Sequence, residues 1–284
     1  MENTQFTWRC PSCREALTLL ERTWLCENKH SFDKAKEGYV NLLLAHQKNS
    51  KAPGDNNEMV LARRAFLSQD HYLPLAHKIA HIITQGHEQK ETEVSIFDAG
   101  CGEGYYIRQI QELVQKSGLK VLASGIDISK SAVQKAAKAK AHSQFAVASC
   151  YNIPLASASQ DYVVQIFAPS SPVEIKRILK PEGKWISVNP ASEHLHQMKS
   201  IIYDTPQEHD VSDQAQAGFE MVSQERLSFE IQLHNEEQRS NLLKMTPFYW
   251  TISNENKLRL MQELQCVQID FDIKVMQNAD IAQN

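Results

Sequence analysis

The sequence predicts an α/β fold: a Rossmann-like, mostly parallel sheet with a small metal-binding module at its N-terminal end. Three observations predict it. Between residues 94 and 188, apolar stretches of strand length alternate with helical patterns. The first of these strands enters a glycine-rich turn and then a helix, residues 94–107 reading VSIFDAGCGEGYYI. Strand, glycine turn and helix bring backbone close to a nucleotide-like ligand. Upstream, Cys10, Cys13, Cys26 and His30 stand at metal-ligand spacing.

Composition bounds the rest. A chain of 284 residues suits one main domain with an appendage, and a hydrophobic fraction of 42% supports a sizeable core. No apolar run is long enough to span a bilayer, and the start, MENTQFTWRC, lacks a charged region followed by an apolar core. A cytoplasmic protein is expected. The net charge of −4 does not advertise nucleic-acid binding, but charge is uneven: from Thr205 onward there are thirteen Asp and Glu against six Lys and Arg. Any basic surface must come from earlier.

Taken in order, Cys10-Pro-Ser-Cys13 is followed after twelve residues by Cys26, then after three by His30. Three thiolates and an imidazole so spaced close a tetrahedral zinc site with no open position, a structural rather than catalytic one. Disulfides do not suit a cytoplasmic protein, and a redox C-x-x-C needs neither Cys26 nor His30. The arm between the pairs, residues 17–20 and 23–25, has strand character. Residues 46–57 are polar and carry the turn Pro53-Gly54-Asp55, which reads as a linker. Lys29, Lys34, Lys36, Lys48, Lys51, Arg63 and Arg64, with Tyr39 and Asn41 among them, form the most cation-rich part of the chain. That suits phosphate contact on RNA, while charge alone points slightly more to a solvated face. Residues 58–84 are helical in pattern, with Pro74 as an interruption and Asp70-His71-Tyr72 in the break.

In the main domain the first strand, 94–97, ends at Asp98. The chain turns through Gly100, Gly102 and Gly104 into a helix over 105–116. A second strand, 120–126, ends at Asp127, where the acid that binds ribose hydroxyls belongs; Asp127 or Ser129 equally suits the cap of a helix over 129–141. A third strand covers 144–148, and a fourth, 161–167, leads into Ala168-Pro169. A helix over 174–179, a turn at Lys180-Pro-Glu-Gly183 and a fifth strand to Val188 complete the series. Residues 227–233 and 267–275 alternate as a final antiparallel pair. Between them, Met245-Thr-Pro-Phe248-Tyr249-Trp250 is an aromatic cluster, with core packing its default role and base stacking the sharper one.

The run Asp98-Ala-Gly100-Cys-Gly102-Glu-Gly104 resembles the first motif of the class I S-adenosylmethionine-dependent methyltransferases, which have a Rossmann-like sheet. Leu179-Lys-Pro-Glu-Gly183 is similar to a late signature of that class, with Glu182 where a second Gly is common. Adding the cysteine module, Ala35-Lys-Glu-Gly-Tyr39-Val-Asn-Leu-Leu43, Arg63-Arg64, His71-Tyr72, His194-Leu-x-x-Met198-Lys199 and the aromatic run, nearly the whole chain resembles the RlmA family of bacterial large-subunit rRNA (guanine-N1)-methyltransferases.

That resemblance implies methyl transfer from S-adenosylmethionine to N1 of a guanine in a 23S rRNA hairpin. It implies structural zinc on Cys10, Cys13, Cys26 and His30, and cofactor contacts from Tyr72, Gly102, Glu103 and His194, to which the glycine-loop motif adds Asp98 and Gly100 and the end of the second strand adds Asp127. It further implies a homodimer with no membrane association. The organisation is then a zinc-binding RNA-recognition domain over 1–45, a helical linker and cofactor cover over 46–90 and a methyltransferase domain over 91–284. Phe167-Ala168-Pro169 is expected to shape the pocket for the acceptor base. No residue stands out as the general base. A zinc-bearing small-molecule methyltransferase is the alternative, though it gives no role to the cationic segment.

Overall fold

A computed structural model describes residues 8–47, 54–87, 93–139, 142–203, 216 and 218–279. Three short strands, β1 (Thr18–Leu20), β2 (Thr23–Leu25) and β3 (Ser31–Asp33), form an antiparallel ribbon. The chain then contributes β4 (Val40–Asn41) to the edge of the main sheet before the helices α1 (Asn57–Leu67) and α2 (Leu73–Gln85). Asn56 caps α1 by accepting from the Met59 N–H. Pro74 does not interrupt a helix as expected; it lies in the first turn of α2, where a missing N–H costs nothing. The break lies before it, with Asp70 in left-handed backbone at φ 59°. Lys48, Lys51 and Pro53 lie outside the described residues.

The body alternates β5 (Glu93–Ala99), α3 (Tyr105–Lys116), β6 (Lys120–Asp127), α4 (Lys130–Lys138), β7 (Gln144–Val147), β8 (Gln160–Ile166), α5 (Pro172–Ile178) and β9 (Leu179–Pro190). Then come α6 (His196–Ile202), β10 (Phe219–Gln232), α7 (Glu236–Lys244), α8 (Asn254–Glu263) and β11 (Cys266–Asn278). The eight strands lie in the order β10-β11-β9-β8-β5-β6-β7-β4. β4 to β9 run parallel where they pair, and β11 is antiparallel to both β9 and β10. Chain order reverses on either side of β5, with β6 on one flank and β8 on the other. The crevice beyond the carboxyl end of β5 is therefore the topological switch point, where open α/β sheets take ligands.

Two expectations are corrected here. Lys180-Pro-Glu-Gly183 is not a turn between helix and strand but an irregularity inside β9, whose pairing with β8 jumps from Gln160↔Leu179 to Tyr162↔Lys184. A Cβ on Gly183 would lie 2.8 Å from the Gln160 carbonyl oxygen, so the close pass needs glycine. The helix expected over 129–141 ends at Lys138.

Alternation along β5 divides the core. Val94 and Ile96 face α2 and α3, while Phe97 and Ala99 face the other layer. That second layer contains Trp8, Leu17 and Trp24 of the ribbon beside Ile153, Leu155 and Trp185, all buried. The ribbon thus shares a hydrophobic core with the sheet. Backbone bonds join it as well: Arg9 N–H donates to the Pro154 carbonyl at 2.9 Å and Leu42 N–H to Val147 at 2.9 Å.

Candidate functional site

The ribbon brings Cys10, Cys13, Cys26 and His30 together, with one ligand atom from each lying within 4.8 Å of the others. Cys10 Sγ and Cys26 Sγ stand 3.5 and 3.4 Å from His30 Nδ1, and Cys13 Sγ stands 3.7 Å from Cys26 Sγ. A tetrahedron with Zn–S of about 2.3 Å and Zn–N of about 2.05 Å has S···S edges near 3.8 Å and S···N edges near 3.5 Å. The donor set therefore fits zinc in both chemistry and spacing. A hydrogen bond from the Asn28 side chain draws the Cys13 thiol down to about 6, toward the thiolate a metal requires. With four protein donors there is no place for a substrate.

At the switch point, β5 ends in Asp98 and Ala99, and the loop carries Gly100, Gly102 and Gly104 at φ 88°, 55° and 79° into α3. L side chains rarely adopt these angles. The glycines differ in what surrounds them. A Cβ on Gly100 would lie 2.4 Å from Ala168 Cβ and one on Gly104 2.9 Å from Ala136 Cβ, whereas nothing lies within 4 Å of a Cβ on Gly102. Gly100 and Gly104 fit the loop against its neighbours; Gly102 faces open space.

Two carboxylates line this loop. Asp98 is buried, and burial together with the neighbouring Asp127 pushes its pKa up to about 8. Asp127, at the end of β6, is also raised by burial, although its oxygens accept from Ser129 N–H at 2.7 Å and Gly102 N–H at 2.9 Å. Ser129, not Asp127, caps α4, accepting from Ala132 N–H. Glu103 is buried and raised by that burial, opposed by Arg108, whose guanidinium stands 3.4 Å from it. The Tyr106 hydroxyl is buried without a hydrogen-bond partner among the described residues, near Tyr72, Tyr105, Arg63 and Asp98.

An aromatic wall closes one side. The ring of Phe271 on β11 lies 5.3 Å from Tyr72, 5.2 Å from His194 and 5.3 Å from Phe167. Tyr72 is buried at the start of α2, which keeps its hydroxyl protonated. Phe167 follows β8 in left-handed backbone, φ 53°, with 40% of its surface exposed. His194 is buried, and its Nδ1 accepts the Asp270 backbone N–H at 3.3 Å. In a neutral ring the hydrogen therefore sits on Nε2. The Asp270 carboxylate holds the same loop, accepting Glu193 N–H at 3.0 Å and Arg226 Nε at 2.6 Å.

Sequence reasoning missed the lip opposite. Gly54 rests on Ile128 and Ser129, Ser129 Oγ donates to the Asp55 carbonyl at 2.7 Å, and the Asp55 carboxylate pairs with Arg63. Arg63 also donates to the Met245 carbonyl at 3.3 Å. The described part of the expected linker is thus docked beside Asp127. Arg63, read as one cation among many, is a half-buried tie across the mouth. Tyr106, Phe271 and Asp270 were likewise unmarked; the doubled Tyr105-Tyr106 after the glycines was the visible signal. The structure brings Tyr72, Asp98, Gly100, Gly102, Glu103, Asp127 and His194 to the carboxyl end of the sheet, with Cys10, Cys13, Cys26 and His30 apart in the ribbon.

Comparison with known proteins gives two family matches. Residues 8–51 match the N-terminal zinc ribbon of RlmA, and residues 90–245 match a methyltransferase domain. A 23S rRNA (guanine(748)-N(1))-methyltransferase of Streptomyces fradiae is 32% identical over 262 residues, 90% of each chain. A Bacillus subtilis strain 168 protein, named provisionally as a 23S rRNA (guanine-N(1)-)-methyltransferase, is 29% identical over 280 residues, 95% of each chain. Another with that provisional name, from Micromonospora griseorubida, is 30% identical over 264 residues, 85% of this chain and 86% of the relative.

Proposed function

The chain belongs to the RlmA family of 23S rRNA (guanine-N1)-methyltransferases, and from that premise we propose that it methylates N1 of one guanine in a hairpin of 23S rRNA. The observation that carries the reading is a single body in which a Cys3His ribbon shares its core with a sheet whose switch point presents an open Gly102 between two buried carboxylates.

S-adenosylmethionine fits this site. The open backbone at Gly102, the orphaned Tyr106 hydroxyl and the two acids suit a ligand with positive charge and ribose hydroxyls. Bound there, it supplies an electrophilic methyl. Asp127 would hold the ribose, and Asp98, once ionised, would stabilise the cationic end. Gly100 keeps the loop against Ala168. Tyr72 and Phe271 exclude water from that side.

Phe167 offers an aromatic face at the end of β8, where the acceptor guanine would lie. Guanine N1 carries a proton that must leave as the new bond forms, so a proton acceptor is needed there. His194, with Nδ1 already accepting, would serve as a donor from Nε2, positioning an acceptor atom rather than taking the N1 proton. The zinc ribbon, the cationic segment and the lysines of α4 would hold the hairpin backbone; Lys138 and Arg64 each lie close enough to Lys135 to repel it, an arrangement a phosphate chain relieves. The reading includes the division into ribbon, helical cover and methyltransferase domain, and a homodimer working in the cytoplasm. Among the described residues no helix is long and apolar enough to cross a membrane.

The test is mass mapping of 23S rRNA from cells with and without the gene. One methylated guanine should disappear, returning with the wild type and not with Gly102→Arg. An unchanged map, with labelled methyl in a small molecule instead, would overturn the reading.

A further inference from the structure

Phe248, Tyr249 and Trp250 lie in a 3₁₀ turn, Pro247–Trp250, between α7 and α8. Core packing accounts for Phe248, whose ring meets Tyr203 at 5.9 Å. It does not account for Trp250. Of the four tryptophans, Trp8, Trp24 and Trp185 are 1%, 5% and 2% exposed, whereas Trp250 is 60% exposed.

Trp250 is braced. The Tyr249 ring lies 5.1 Å away at 71°. Lys257 Nζ sits 5.2 Å from the centroid of Tyr249, and the Tyr249 hydroxyl donates to Glu58 Oε1 at 3.4 Å. Lys244 neutralises Glu58 at 3.0 Å. Glu58 belongs to the first turn of α1, the helix whose Arg63 ties Asp55 to the Met245 carbonyl. The turn therefore sits beside the lip that Asp55 and Arg63 form.

A large π-face in solvent, braced by Tyr249 and with the Lys257 cation over that neighbouring ring, is what contact with unpaired nucleotides requires: bases stack on the ring while a cation meets a phosphate. Lys244 is already paired with Glu58, so Lys257 is the charge that a polyanion would meet here. We propose that Trp250 stacks on an unpaired base flanking the methylated guanine, with Lys257 facing a neighbouring phosphate. This rests on the RNA substrate argued above.

The experiment uses zinc-loaded full-length protein and unmodified 23S rRNA from cells lacking the gene. Because the other tryptophans are buried, titrated RNA should quench the emission of Trp250, and Trp250→Leu should abolish the quench. The KM for RNA should rise about tenfold in Trp250→Leu, the scale of one lost base stack, while kcat and cofactor Kd stay within about twofold. Trp250→Phe, which keeps a ring, should recover most of the affinity. An unchanged KM in Trp250→Leu, or an altered sedimentation coefficient of the RNA-free variant, would overturn the proposal, the latter giving the patch to a second copy. Absence of methylation by the wild type would overturn the RNA reading itself, and the proposal with it.

Discussion

Asp98 should make cofactor affinity depend on pH. Its carboxyl is 2% exposed at the end of β5, and burial, then the charge of Asp127, lifts its pKa to about 8. Positive charge on a bound ligand favours the carboxylate, so binding below that pKa must expel a proton. The direction follows from linkage. An unfolded Asp titrates near 3.9; between that value and about 8 the folded, ligand-free chain binds more protons than the unfolded one. Its stability therefore falls as pH rises through this window, and a cationic ligand offsets the loss. The penalty factor 1 + 10^(pKa − pH) is about 100 at pH 6 and about 2 at pH 8, so affinity should rise about 50-fold, or ~2.3 kcal/mol. Calorimetric titration of S-adenosylmethionine in two buffers of different ionisation enthalpy would count the protons released. Asp98→Asn should flatten the slope, which separates the carboxyl from the ligand's own ammonium. A Kd constant from pH 6 to 8, with no proton released and equal binding by Asp98→Asn, would refute the reasoning.

Removing zinc with a strong chelator should lower the melting temperature of the whole chain in one transition, because ribbon and sheet share Trp8, Leu17 and Trp185 in one core; a separate low-temperature transition would contradict that continuity. Gly100→Ala and Gly102→Ala should part company in denaturant melts and cofactor titrations. The former strikes Ala168 and should cost more than the ~1–2 kcal/mol of left-handed strain, while the latter should cost about that strain and lose cofactor affinity out of proportion. Arg226→Ala should destabilise by ~3–5 kcal/mol, since it leaves the buried Asp270 carboxylate without its cationic partner, and Asp270→Ala by ~1–3 kcal/mol, since it removes that charge and leaves the Glu193 N–H unpaired while the half-exposed Arg226 turns to water. Burial alone would raise the pKa of Asp270, but Arg226 and the Glu193 N–H hold it down. Its stabilisation should be present above pH ~4 and lost as pH falls through the lowered value, a loss that Asp270→Ala melts should lack.

Most of the sheet was legible because β5 to β8 are apolar runs ended by turns, and the glycine loop marks the end of β5. The placement of Asp98 and Asp127 at strand ends and the gathering of Cys10, Cys13, Cys26 and His30 in one cluster were legible for the same reason: local spacing carries both. The edge strand β4 was not, since two residues, Val40 and Asn41, have no period to read and gain their partners from Ala146 and Val147, about a hundred positions away.

The mouth shows the same limit at higher stakes. Asp55 and Arg63 sit on a stretch whose polarity reads as linker, and only the fold reveals that Ser129 and Met245 receive them. Phe271 looks like one more alternating strand residue, yet it is where Tyr72, Phe167 and His194 meet. Residues far apart in sequence thus form the walls, while the loop between β5 and α3 forms the floor. A motif specifies the floor, which any ligand of this class needs. The walls bound the space above that floor, and they are built from the contacts that local sequence reveals least.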